Sequence, residues 1–255
     1  MELQKNAFKA ALAAGKLQVG IWSSLCSNIG AEILSDSGFD WILLDTEHSP
    51  NEIPDLVSQL QAAQRGTASA LVRPAWNDLV LIKRVLDIGA QTVLVPYVQT
   101  RDEAVAAVAA TRYPPHGKRG VAGGARASRY GRVRDYLKKA DDEICLLVQV
   151  ETRESLENNL EEIASVSGVD GVFIGPSDLS ASYGLIGQPG NPAVQEAIKR
   201  AAVTIRKCGK APGILTTNEE EAKRYIEWGY LFVAVGVDTG LLVRAADGLA
   251  KRFKG

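Results

Sequence analysis

The pattern that most constrains the fold is an alternation of short apolar runs with stretches of helical spacing, repeated eight times along the chain. Such runs contain few polar residues, which is typical of parallel strands covered on both faces. No linker or shift in composition divides the 255 residues. We therefore predict one α/β domain over residues 1–255, folded as a single (β/α)8 TIM barrel.

The boundaries of the elements follow from the same pattern. The predicted strands are 17–22, 41–44, 69–72, 92–95, 144–150, 171–174, 211–215 and 231–235. An amphipathic helix is predicted before them at 1–14. Further helices are predicted at 133–140, after a long glycine- and arginine-rich loop (112–131), at 155–166 after the fifth strand, and at 241–253 at the end of the chain. A doubly wound sheet would need a nucleotide-binding glycine fingerprint after the first strand, and the sequence WSSLCSN (22–28) has none.

Charge and cysteine content narrow the class of partner. A net charge of −1 without a basic stripe argues against a nucleic-acid or acidic-membrane partner. The three cysteines, Cys26, Cys145 and Cys208, are far apart and without metal spacing, so we expect reduced, buried residues. The N-terminus lacks a signal-peptide pattern, and no stretch reaches the roughly 18 apolar residues that would span a bilayer. We expect a cytoplasmic protein with a small-molecule substrate.

The second predicted strand ends in a group of polar residues, Asp45, Thr46, Glu47 and His48, and the chain has only two histidines. In a barrel, a strand end delivers side chains to the active site. Asp45 is close enough to hold one imidazole nitrogen of His48, leaving the other nitrogen free as a base. The alternative is that His48 caps the following helix, whose start is signalled by residues 49–51.

Other strand ends supply candidate ligands. Glu151 and Asp178 are two carboxylates with few other ligands in view, a set that suits Mg²⁺ or Mn²⁺. Arg73, fixed before a proline, offers a rigid fork for a substrate carboxylate. The alternatives are that Asp178 caps a helix, that Glu151 pairs with a lysine and that Arg73 makes a plain salt bridge. Gln149 and Ser177 lie at the same strand ends.

Together these groups fit one kind of reaction. A metal and an arginine can hold a 2-oxo acid while a base removes a proton from the carbon beside the carbonyl, giving the enolate nucleophile of an aldol reaction. Schiff-base catalysis is disfavoured because none of the predicted strands contains a lysine: Lys210 precedes the seventh strand, and Lys83 lies on a helix. No serine or cysteine has the setting of a catalytic triad.

Six separated motifs, in order, resemble one family. They are WILLDTEHSPN, LVRPAWND, TRYPPHGKRGV, LLVQVET, DGVFIGPSDLSASYG and LFVAVGVDTGLL. The sequence is similar nearly end to end to the metal-dependent pyruvate aldolases of the HpcH/HpaI family. The resemblance implies cleavage of 4-hydroxy-2-oxo acids to pyruvate and an aldehyde in aromatic compound catabolism. It also implies a divalent cation (Mg²⁺, Mn²⁺ or Co²⁺), no nucleotide, and a homohexamer, a trimer of dimers that exchange the last helix.

The resemblance also assigns roles to residues of this chain. His48 with Asp45 would form the base dyad, Arg73 would bind the pyruvate carboxylate, and Glu151 with Asp178 would bind the metal. Further residues would contact substrate or metal-bound ligands: Gln149, Ser177, Asp178, Trp22, Leu215 and Arg126, with Tyr130 a second candidate in the long loop. His116 is expected to be an ordinary loop residue.

Two departures from the family pattern bear on aldehyde preference. Thr46 stands where the family has a glycine, and Ser177 where it has an alanine; Ser177 mainly lends its backbone N–H. Neither change removes a catalytic group.

Other functions stay open at this point. They are a lyase acting on acyl-CoA esters, a non-catalytic barrel that binds a carboxylate, and an aldolase that uses hydroxypyruvate or 2-keto-3-deoxy sugar acids.

Overall fold

The predicted barrel is confirmed. The structure, a computed structural model, describes residues 1–254, and its eight strands are all parallel. Each strand pairs with the next along the chain, and the last pairs with the first, so the sheet is closed. The strands are β1 (Gln18–Ser23), β2 (Trp41–Asp45), β3 (Ser69–Arg73), β4 (Thr92–Val95), β5 (Cys145–Val150), β6 (Gly171–Ile174), β7 (Ala211–Leu215) and β8 (Phe232–Val237).

Helices cover the outside of the barrel, where buried apolar residues of the helices and strands form the largest hydrophobic cluster of the protein. The α-helices of residues 1–254 are α1 (Ala7–Ala13), α2 (Asn28–Ser35), α3 (Ile53–Ala63), α4 (Leu79–Asp87), α5 (Arg101–Thr111), α6 (Tyr136–Glu143), α7 (Arg153–Glu157), α8 (Leu160–Ala164), α9 (Pro176–Ser182), α10 (Pro192–Lys207), α11 (Glu219–Glu227) and α12 (Asp238–Lys254). A 3-10 helix, Arg126–Ser128, lies in the long loop. None of these helices is long and apolar enough to cross a membrane.

Two helix predictions were wrong for local reasons. The helix predicted at 133–140 begins later, at Tyr136, because Asp135 has a left-handed backbone (φ 56°) that a helix cannot contain. The region after β5 forms two short helices because Asn158 ends α7 and the Asn159 side chain donates to the carbonyl of Gln99 at 2.9 Å. Asparagine competes with helical hydrogen bonding in this way.

The N-terminal helix closes the lower end of the barrel. The Phe8 ring lies 6.0 Å from each of the rings of Trp41 and Phe232, inside the inner core layer. Asn6, which caps α1, donates to the Thr92 hydroxyl at 2.9 Å and so ties the helix to the start of β4. Because α1 covers the N-terminal ends of the strands, a substrate site belongs at the other end.

The last helix packs loosely on its own chain. Asp238 is the one buried residue of α12. The apolar side chains of this helix are exposed, with Leu242 57% and Phe253 83% accessible. Exposed apolar faces of this size usually mark a contact surface.

The cysteine prediction holds in part. All three cysteines are free, as expected. Only Cys145 is buried, however, and burial raises the pKa of its thiol well above the ordinary value. Cys26 and Cys208 are half-buried, so the expectation that all three lie in the core was wrong.

Candidate active site

Asp45 and Arg73 form the centre of the site, at the ends of two adjacent strands. They are paired in the β2–β3 register, and both are buried. Arg73 donates from Nε to Asp45 Oδ1 at 2.8 Å and from Nη2 to Oδ2 at 2.7 Å, the bidentate geometry of the strongest charged hydrogen bonds. Burial acts to raise the pKa of Asp45, but the bonds and charge of Arg73 outweigh it and hold that pKa below its usual value.

Glu47 completes the surroundings of the guanidinium. Its Oε2 lies 2.7 Å from Arg73 Nη1. The guanidinium carbon lies 4.9 Å from the ring centroid of Trp22, whose Nε1 also donates to Asp45 Oδ2 at 3.3 Å. Arginine has five N–H donors, and the hydrogen bonds to Asp45 use two of them, so donors remain for a ligand beside the ionic contact with Glu47. Arg73 is therefore a rigid donor whose orientation is set by its neighbours.

His48 stands apart from Asp45. Its side chain is 68% exposed, and its Nε2 lies 3.9 Å from Glu47 Oε1. The predicted contact in which Asp45 holds the imidazole is not present, because both oxygens of Asp45 are taken by Arg73. The capping alternative was also wrong, since the residue that caps α3 is Glu52. His48 is free to face the mouth of the barrel.

The loop that carries His48 is fixed through backbone carbonyls. Ser49 Oγ and Asn51 Nδ2 both donate to the Asp45 carbonyl, at 2.5 and 2.8 Å. Thr46 donates twice to the Arg73 carbonyl, from its backbone N–H at 3.0 Å and from its hydroxyl at 2.6 Å. Thr46 thus ties the loop to β3, which a glycine would do with one bond fewer.

Glu151 is a buried carboxylate at the end of β5, 2% exposed. Its Oε1 accepts from the backbone N–H of Tyr97 at 2.9 Å, and its Oε2 accepts from the Gln149 amide. Burial raises the pKa of Glu151 to about 7; the Gln149 bond opposes the shift, and the negative charges of Asp178 and Glu47 add to it. A positive charge nearby would favour the ionised form of such a carboxyl group.

Asp178 lies in the first turn of α9 and is exposed. It does not cap this helix, because the capping position is Gly175, so that alternative was wrong. A Cβ on Gly175 would lie 2.5 Å from Glu151 Oε2, so only glycine allows β6 to turn into α9 this close to the carboxylate. Ser177 is exposed beside Asp178.

These residues fit a divalent cation. Within residues 1–254, no three His, Cys, Asp or Glu side chains come together as a ready-made metal cage. Gln149 Oε1, however, is buried without a hydrogen-bond partner beside Glu151, and it is a third oxygen donor. Two carboxylates and an amide oxygen suit a hard cation that takes its other ligands from water and substrate.

The remaining candidates fall into two places. Trp22 lies beneath Arg73, as described, and Leu215 ends β7, half-buried against the inner core. Arg126 instead donates from Nη1 to the carbonyl of Ile88 at 2.6 Å, between α4 and the start of β4. That is the lower end of the barrel, so the prediction that Arg126 binds substrate was wrong for the site of its own chain.

Two other loop residues, Tyr130 and His116, are exposed. Tyr130, 63% exposed, belongs to the same lower segment as Arg126. His116 is exposed in a turn after α5, as expected of a loop residue.

Sequence reasoning missed the roles of two groups. Glu47 lies in the strand-end motif, but no role was predicted for it. A guanidinium has five N–H donors and can contact more than one carboxylate, so a second carboxylate beside Arg73 could have been expected. The Tyr97 backbone N–H has no signature in the sequence, because any residue except proline carries one.

Fold and site together define a (β/α)8-barrel enzyme whose carboxylate-rich centre lies at the C-terminal ends of its strands. The sequence profile of one family, HpcH/HpaI aldolase/citrate lyase, matches residues 18–245. The chain belongs to this family, as its motifs indicated.

Named relatives are similar over nearly the full length. The chain is 58% identical over 250 residues to 4-hydroxy-2-oxo-heptane-1,7-dioate aldolases of Shigella sonnei and Escherichia coli, covering 98% of this chain and 95% of each relative. A crystal structure of an HpcH/HpaI aldolase/citrate lyase family protein from Burkholderia cenocepacia is 37% identical, with a TM-score of 0.95. That match covers 98% of this chain and all of the other.

Proposed function

We propose that this protein is a class II aldolase that reversibly cleaves 4-hydroxy-2-oxo acids, such as 4-hydroxy-2-oxoheptanedioate, to pyruvate and an aldehyde. One observation carries the proposal: Asp45, Glu47 and Glu151 lie around a single guanidinium, that of Arg73, and the charge of Asp178 acts on Glu47 and Glu151. This excess of negative charge would repel an anionic substrate unless a cation were bound. The activity in the names of the relatives supports the same reaction.

Glu151 and Asp178 would hold the cation, with the Oε1 atom of Gln149 within the same group of donors. Mg²⁺, Mn²⁺ and Co²⁺ all accept such oxygen ligands. When bound, the cation would act as a Lewis acid on the carbonyl of the 2-oxo acid and offset the negative charge that develops as the substrate loses a proton.

Arg73 would orient the 2-oxo acid. N–H groups of the guanidinium that are not bonded to Asp45 would donate to substrate oxygens, with the carboxylate as the predicted partner. Because the guanidinium is locked on two carboxylates and on the Trp22 ring, it would lose little conformational freedom when the substrate binds.

His48 would move the proton. Its imidazole is exposed at the mouth, and its Nε2 lies 3.9 Å from Glu47 Oε1. Asp45 would act through Arg73, since its oxygens are engaged there. The proposed division is that Arg73 orients the substrate, His48 takes the proton and Glu47 lies between them.

Covalent catalysis by a lysine finds no support in the barrel. Residues 18–23, 41–45, 69–73, 92–95, 145–150, 171–174, 211–215 and 232–237, which form the strands, include no lysine. Lys210, just before β7, donates to the carbonyl of Val169 at 2.7 Å, at the end of the barrel away from the site. This favours a cation over an imine as the electron sink.

A hexamer, built as a trimer of dimers that exchange α12, is the proposed assembly. Two exposed apolar faces support it: Leu242, Leu249 and Phe253 on α12, and Ile29 and Ile33 on α2. Phe253→Asp should shift the sedimentation coefficient towards smaller species. The matched change Val203→Asp, at an exposed position of α10, should leave it unchanged; equal sedimentation of both variants and the parent would count against the exchange.

The proposed compartment is the cytoplasm. The three cysteines, none of them paired, suit a reducing environment. Cell fractionation with an antibody to the protein would test this, and recovery in an oxidising compartment would contradict it.

A retro-aldol assay tests the reaction. Protein treated with chelator should release no pyruvate from 4-hydroxy-2-oxoheptanedioate, and added Mn²⁺ should restore release, followed with lactate dehydrogenase. Asp178→Asn should raise the Mn²⁺ concentration required. Asp102→Asn is the matched control, because Asp102 lies in the first turn of α5 at the same end of the barrel and its side chain is 96% exposed. Full activity in chelator would refute the proposal.

A further inference from the structure

Two aromatic side chains stand exposed beside the site. Trp76 is 51% and Tyr97 40% accessible, and their rings stack with centroids 5.4 Å apart and planes 27° apart. We call this pair the aromatic shelf. A stacked pair of large aromatic rings this open to water can bury a large apolar area against a ligand.

The shelf lies on the rim of the barrel. Trp76 follows the end of β3, which carries Arg73, and Tyr97 follows the end of β4. The Asn77 side chain donates to the Glu103 carbonyl at 3.1 Å, which ties the Trp76 loop to the start of α5.

The Tyr97 backbone is fixed on the cation-binding side of the site. Its N–H donates to Glu151 Oε1 at 2.9 Å, and the next N–H, that of Val98, donates to the Gln149 carbonyl at 2.9 Å. Tyr97 also has a left-handed backbone (φ 53°), uncommon outside glycine, asparagine and aspartate. The position of the ring is therefore coupled to that of the Glu151 carboxylate.

We infer that the aromatic shelf is a specificity-determining subsite that binds the carbon chain or ring of the acceptor aldehyde. The inference rests on the proposed function. In the synthetic direction of that reaction, the new carbon–carbon bond would form in the space between the Arg73 and Glu151 side chains. The remainder of the aldehyde would then extend towards the rim, where Trp76 follows the end of β3 and Tyr97 follows the end of β4. Stacked π faces favour an aromatic ring or an extended apolar chain over a short aldehyde.

The experiment compares two aldehydes on variants of the shelf. The ratio of kcat/KM for benzaldehyde to that for acetaldehyde is measured with pyruvate as donor, because specificity is a ratio of these values. Both aldehydes meet the same donor, so the ratio cancels any change in donor activation. Trp76→Ala and Tyr97→Ala should each lower it by about 3- to 10-fold. Tyr97→Phe, which keeps the ring, should stay within about twofold of the parent.

Controls separate this inference from the proposed function. Val203→Ala removes an exposed apolar side chain on α10 and should not change the ratio. Absence of any aldol reaction in the parent protein would refute the proposed function rather than the shelf. An unchanged ratio in both alanine variants would overturn the shelf, and a changed sedimentation coefficient with an unchanged ratio would assign the pair to contacts between copies of the chain. If Tyr97→Ala fails to fold, Trp76→Ala decides.

Discussion

Replacing Glu151 with glutamine should change how the stability of the cation-free protein depends on pH. In the folded protein the pKa of Glu151 is raised by burial from 4.5 to about 7. Below pH 4.5 the carboxyl group is protonated in both the folded and unfolded states, and between 4.5 and 7 it is ionised only when the chain unfolds. The folded state therefore loses stability as pH rises through this window and levels off above 7.

The magnitude follows from the shift. One pKa unit corresponds to about 1.4 kcal/mol, so the stability of the parent, measured relative to Glu151→Gln, should fall by about 3 kcal/mol between pH 4.5 and pH 8. The assay is urea unfolding in chelator at a series of pH values. Saturating Mn²⁺ should largely remove the fall, because the cation binds the ionised carboxylate and the folded state alone.

A control fixes the interpretation. Glu220→Gln changes an exposed glutamate on α11, and its difference from the parent should vary far less with pH. If the difference between the parent and Glu151→Gln stayed constant from pH 4.5 to 8, the pKa of Glu151 would not be raised by burial, and the case for a cation beside it would weaken.

Three further substitutions probe the same centre. Arg73→Lys should weaken pyruvate binding tenfold or more in calorimetry, because a lysine cannot donate to both carboxylates and a substrate from a fixed fork; unchanged affinity would refute this. Gly175→Ala should weaken Mn²⁺ binding, followed by electron paramagnetic resonance, since its Cβ would lie 2.5 Å from Glu151 Oε2, whereas Gly30→Ala, with ordinary contacts, should not. Thr46→Gly should lower the unfolding free energy by about 1–2 kcal/mol, because it removes one hydrogen bond and adds chain entropy to the unfolded state. Cleavage should continue, and loss of cleavage in a folded variant would contradict a purely structural role for Thr46.

Much of the scaffold could be predicted because its signals are local. Continuous apolar runs bounded by glycine or polar residues mark the strands, and β4, β6 and β7 have the predicted bounds. Parallel strands deliver their end residues to one end of a barrel, so Arg73 and Glu151 could be assigned to one site before the structure was known. Their chemical roles stay predictions.

The wrong site predictions concern residues whose contacts depend on three-dimensional position and not on spacing along the sequence. Asp45 precedes His48 by three residues, yet the β2–β3 register places Arg73 beside it, and a bidentate charged pair outcompetes a single bond to an imidazole. The substrate-binding role predicted for Arg126 was wrong for a similar reason. The sequence of a long loop does not show which end of the barrel the loop packs against, and Arg126 bonds to Ile88 at the lower end.

The most direct test of a cation-dependent site that takes a proton from pyruvate is exchange of the pyruvate methyl protons in deuterium oxide, followed by proton NMR without any aldehyde. The parent protein with Mn²⁺ should lose the methyl signal at a measurable rate, and chelator should stop the exchange. His48→Ala should slow it by 100-fold or more, the usual contribution of a positioned base. Exchange that is absent with Mn²⁺, or that continues at full rate in chelator, would contradict the account.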